Sequence, residues 1–60
     1  MKISKALLEK AKSAAENISS FDGERFRHYG KNYVVTIADK GYSLYLDDNY
    51  AINMIHIINF

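Results

Sequence analysis

Apolar positions in the first eighteen residues recur with a period near that of an α-helix. Leu7, Ala11, Ala14, Ala15 and Ile18 fall on one stripe, with Leu8 at its edge. The spacing predicts an amphipathic helix over about 4–18, with Ser4 as N-cap and Ile3 packing on Leu8 as a hydrophobic staple. Most of the stripe is alanine, so this helix should sit close to whatever it covers. The opposite face carries Lys5, Glu9, Lys12 and Glu16, which alternate in sign, Lys5–Glu9 and Lys12–Glu16 being i,i+4 pairs. Ser19-Ser20 and then Asp22-Gly23 should end the helix and turn the chain, with Phe21 as a core anchor at that corner.

After Gly23 the period shortens to 2, the signature of half-buried strands. Strands are expected at about 24–29, 33–38 and 42–46, with turns at Gly30-Lys31-Asn32 and Asp39-Lys40-Gly41. The second turn suits a type I geometry with Gly41 in the left-handed position of a G1 bulge. Parity then sends Phe26, Tyr33, Val35, Ile37, Tyr42, Leu44 and Leu46 towards the helix. It sends Arg25, Arg27, Tyr29, Val34, Thr36, Ser43 and Tyr45 to the other face.

The segment over about 50–58 admits two readings. Asp48 could cap a helix burying Ala51, Ile55 and Ile58, or Asp47-Asp48-Asn49 could turn into a fourth strand. The β-branched Ile52, Ile55, Ile57 and Ile58, and the short spacing of the preceding strands, favour the strand. The expected fold is therefore α+β, one domain spanning residues 1–60. Its N-terminal amphipathic helix packs on a three- or four-stranded antiparallel β-meander. The alternative, an α-β-β-β-α order with a C-terminal helix, would resemble the small double-stranded-RNA-binding-type fold of some ribonuclease toxins. That analogy carries fold and not function.

Composition narrows the picture. A chain of 60 residues hides only about 60% of the surface its unfolded form exposes. There is no cysteine, which excludes disulfides and thiolate zinc sites. His28 and His56 alone do not make a metal site, and no cofactor motif is present. No secretory h-region and no bilayer-length apolar run occurs, so a soluble, cytoplasmic protein with no membrane role is expected. The sequon-like Asn17-Ile18-Ser19 is then accidental. The net charge of +1 conceals a polarity: residues 1–31 hold seven cations against four anions, and residues 32–60 one cation against three anions. Such polarity fits electrostatic steering to a partner, but falls short of a strongly basic nucleic-acid-binding balance.

Candidate chemistry is sparse. The helix lysines are interleaved with Glu9 and Glu16 and read as a solvated face. Arg25, Arg27, Tyr29, Lys31 and Tyr45 are the candidate partner-binding residues, because arginine and tyrosine bring area and hydrogen bonds at low entropic cost. The same types also serve single-stranded nucleic acid, as guanidinium on phosphate and rings on bases. His28 and His56 could act as acid and base of a ribonuclease, although each reads more plainly as a partly buried histidine. Asp47-Asp48-Asn49 lacks the spacing of a calcium loop. The run from Ile52 to Phe60 carries no fixed charge and would suit homodimerisation or pairing with a partner's strand.

The leading expectation is a non-enzymatic binding module, a stoichiometric inhibitor or modulator of a larger host protein or nucleoprotein complex. Chains of this size and isoleucine-, asparagine- and lysine-rich composition suit phage or mobile-element proteins, including those that block host defence nucleases such as CRISPR effectors. A nucleic-acid-binding regulator using the same face is the alternative, and a small ribonuclease toxin comes third.

Overall fold

A computed structural model describes residues 3–18, 23–48 and 53–60. The expected roles of Phe21, Ser19-Ser20, Asn49, Ala51 and Ile52 lie outside the described residues. Helix α1 (Lys5–Glu16) begins where the sequence predicts. Ser4 is extended, and its Oγ accepts a hydrogen bond from the Leu7 N–H at 3.1 Å, satisfying one of the orphan donors of the first turn. The helix stops at Glu16, two residues short of expectation. There Asn17 caps it through its own N–H to the Ala14 carbonyl and donates Nδ2 to the Ser13 carbonyl at 3.2 Å.

Among the described residues four strands follow: β1 (Glu24–His28), β2 (Lys31–Ala38), β3 (Gly41–Asp47) and β4 (Met54–Asn59). They form one antiparallel sheet in the order β1-β2-β3-β4, a meander. The protein is an α+β fold with its N-terminal helix on a four-stranded antiparallel sheet, and the C-terminal segment is the strand rather than the helix. The core lies between α1 and one face of that sheet: Leu7, Ala11, Ala14 and Ala15 pack on Tyr33, Val35 and Leu44. Phe26, Tyr42, Leu46, Ile57 and Ile58 fill its margins. Alanine at three of these helix positions lets the helix backbone approach the sheet closely.

Three details differ from the sequence expectation. The first hairpin turns at Tyr29-Gly30, not at Gly30-Lys31-Asn32. His28 pairs with Lys31, and φ is 48° at Tyr29 and 76° at Gly30, the two left-handed residues a type I′ turn requires. The left-handed tyrosine costs about 1–2 kcal/mol. In return the ladder gains the pairs Arg27–Asn32 and His28–Lys31 and matches the twist of the flanking strands. Ile37 also departs from expectation. Its parity is towards the helix, yet it is 60% exposed, because its pair with Tyr42 lies next to the Asp39-Lys40 turn at the margin of the helix-covered region.

The second turn falls within the expected stretch but is tighter than expected: Ala38 pairs with Gly41 in unbroken register, so Asp39-Lys40 alone form the turn, and Gly41 opens β3 at φ 124° without a bulge. A further reason for glycine there comes from Phe60, alongside on the β4 side of β3: a Cβ would stand 2.4 Å from the Phe60 carbonyl oxygen. Phe60 exchanges two backbone hydrogen bonds with Tyr42, at 2.7 and 2.8 Å. Between Leu44 and Tyr45 the β3–β4 register shifts. Ile57 is the extra residue of this bulge, so the successive isoleucines 57 and 58 both reach the core margin.

Candidate protein-binding face

The sheet face away from α1 is built by strand alternation and register. It carries Arg25 and Arg27 from β1; Asn32, Val34 and Thr36 from β2; Ser43, Tyr45 and Asp47 from β3; and Met54, His56 and Asn59 from β4. Of the five residues expected to form a binding surface, Arg25, Arg27 and Tyr45 are brought together here. Tyr29 and Lys31 are not. The type I′ turn lifts Tyr29 out of the strand to the hairpin tip, where it is 89% exposed and stacks edge-on against His28 at 4.4 Å. Starting β2 at Lys31 gives that lysine the parity of Tyr33, the helix side, where it lines a depression with Ile3, Leu7 and Leu46.

This face is not a plain solvated surface. Val34 is 1% exposed although it belongs to none of the helix-side core. The register flanks it with Arg25 on one side and Tyr45 on the other. Asp47 is 5% exposed and forms an ion pair with Arg25, reaching across β2 to do so. Arg25 itself stays more than half exposed. The buried carboxylate therefore orients an accessible guanidinium, and the remaining guanidinium donors are available to something outside the chain. Charged hydrogen bonds of this kind are the strong ones.

On the β3–β4 side a second network continues the surface. Asn59 Oδ1 accepts from Ser43 Oγ at 2.6 Å and meets His56 Nε2 at 2.8 Å. An amide oxygen only accepts, so Nε2 is the donor in this contact. The His56 ring also packs edge-on to Tyr45, centroids 5.3 Å apart. Parity had not singled out Asp47, His56 or Asn59 as members of this surface. Asp47 joins it because β3 runs one residue beyond Leu46, whereas the placement of His56 and Asn59 depends on the β3–β4 register, which the sequence leaves open until the C-terminal segment is known to be a strand.

Arg27 is exposed and has no ion pair among the described residues. The Lys10 ammonium donates to its carbonyl at 3.3 Å, which brings a second cation to the β1 edge. Arg25, Arg27, Asn32 and Asp47 line a shallow depression there.

The two histidines do not share a site. His28 lies on β1 with helix-side parity, its ring 6.3 Å from that of Tyr33, whereas His56 lies on β4 on the other face. Three inter-strand steps, about 14 Å, and the thickness of the sheet separate them. Among the described residues no group of three His, Cys, Asp or Glu could hold a metal, and no helix is long and apolar enough to cross a membrane. No protein-family model matches the chain, and no curated protein or solved structure matches it significantly.

Proposed function

We propose that this protein is a non-enzymatic binding module that acts in the cytoplasm. On this reading it attaches stoichiometrically to a larger host protein or nucleoprotein complex and inhibits or modulates it. A phage or mobile-element origin and a host defence nuclease as target fit the small size. The observation that carries the reading is the Arg25–Asp47 pair. It is an accessible arginine pre-oriented by a buried carboxylate, beside Tyr45 and over the buried Val34. Pre-orientation lowers the entropic cost of binding, and arginine and tyrosine are the types that dominate protein hot spots. Arg27 and His56 extend the surface to either side. The chain has 4513 Å² of accessible surface, so giving about 800 Å² to a partner is geometrically feasible. It leaves the far edge of the sheet free for a second copy.

The test is capture of partners by the tagged protein, with and without nuclease treatment, comparing wild type with the double variant Arg27→Ala, Tyr45→Ala. A stoichiometric protein that survives nuclease and is lost with the folded double variant is the expected result. Equal capture by the folded double variant would remove this face.

Lys10, held at the β1 edge by the Arg27 carbonyl, favours one second reading, a nucleic-acid-binding regulator that uses the same face together with that edge. Salt separates the two. Phosphate contacts make affinity fall steeply and log-linearly with salt, whereas a tyrosine-anchored protein interface is much less sensitive.

A further inference from the structure

The sheet has two edges, and they are built differently. β1 carries Glu24, Arg25 and Arg27, so pairing with its own copy about Phe26 would set Arg25 against Arg27. Charges of this kind protect natural edges from unwanted pairing. β4 reads Met-Ile-His-Ile-Ile-Asn, without a charged residue or a proline. Met54 is 37% and Ile55 39% exposed.

The hydrogen-bond alternation fixes which β4 backbone groups face outward. The Asp48 N–H bonds to the Asn53 carbonyl at 3.0 Å, so the next pair, Asp47–Met54, is a non-bonded one and Leu46–Ile55 is bonded again. Met54, and by the same alternation His56, thus turn N–H and C=O away from β3.

We propose that β4 pairs antiparallel with β4 of a second copy of this chain, about a two-fold axis through Ile55. In that register Met54 of each copy faces His56 of the other, and the two pairs exchange four backbone hydrogen bonds. Ile55 meets its symmetry mate as a non-bonded pair with Cα atoms about 4.5 Å apart, on the helix side of the sheet. There it closes off the depression lined by Ile3, Leu7, Tyr33 and Leu46. A second copy is the occupant because the strand is its own complement: apolar faces apolar, and no charge opposes another. The bulge at Ile57 limits the pairing to the N-terminal half of β4. The interface is accordingly at the small, reversible end of the range. The product is a continuous eight-stranded sheet, with both helices on one side and both arginine–tyrosine faces on the other. The pairing stands whether or not that face binds a partner.

Sedimentation equilibrium over about 0.01–1 mM, the range suited to a small interface, tests it. The expected result is a rise from 6.9 kDa towards twice that mass. Ile55→Lys adds a charge at an already exposed position. Met54→Pro removes an N–H that bonds nothing within the sheet, where an edge strand tolerates proline. Each should lower the association constant at least about tenfold while far-UV circular dichroism is unchanged, and Arg27→Ala should associate as wild type. A single 6.9 kDa species throughout, or folded Ile55→Lys dimerising as wild type, overturns the proposal. Should Met54→Pro unfold, Ile55→Lys decides alone.

Discussion

The two faces of this sheet are buried by different means. On one, α1 lays alanines against Val35 and Leu44, and nothing polar is needed. On the other, Val34, Ser43 and Asp47 are just as inaccessible, yet their register neighbours are Arg25, Tyr45, Thr36 and Asn59. The first face is a core in the ordinary sense, non-directional and tolerant of changes that conserve volume. The second is held by directional contacts: an ion pair across β2 and an amide oxygen shared by a serine and a histidine. A small chain can in this way spend its apolar residues on one side and still order the other. What it orders is a set of polar groups that stay accessible at their outer ends.

The comparison can be broken hardest on the helix side. Leu44→Ala removes a fully buried side chain from the centre of the core and should cost about 2–5 kcal/mol in urea denaturation, enough to unfold much of so small a domain. Asp47→Asn keeps the shape but removes the charge that orients Arg25. Because Arg25 is mostly in solvent, the cost should be smaller, about 1–2 kcal/mol; a loss as large as that of Leu44→Ala would mean that the polar face carries the fold. Arg27→Ala, exposed and without an ion pair among the described residues, should shift stability by less than about 0.5 kcal/mol. Its effect belongs in partner affinity, and a thermal midpoint lowered by several degrees would erase the distinction between the two faces.

The helix side was legible because its signals are local. Ser4 as cap and the Leu7–Ala15 stripe need only the helical period, and Tyr33, Val35 and Leu44 need only alternation. The other face was legible as far as parity reaches, which places Arg25, Arg27 and Tyr45 together. It failed where a turn sets the phase. A left-handed tyrosine before Gly30 is an uncommon choice, and displacing that turn by one residue misassigned Tyr29 and Lys31. It also failed where contact depends on register: Arg25 and Asp47 are 22 residues apart, and they meet only because two hairpins place β3 two strands from β1. The exposure of Ile37 and the burial of Val34 are set by what lies above each position, which no period encodes.

The meander has a kinetic consequence. Every strand pairs with its neighbour in sequence, and the first two hairpins close through two-residue turns. Contacts this local place the chain among quick folders for a mostly β protein. The exception is β4, reached through the longer connection of residues 48–53 and burying the least of its surface. Docking β4 on β3, across the widest sequence gap between paired strands, comes late and undoing it costs least. Amide hydrogen exchange should therefore reach β4 and the facing edge of β3 before it reaches β2. The strand that offers its outer edge to a second copy is also the one most readily lifted from the first.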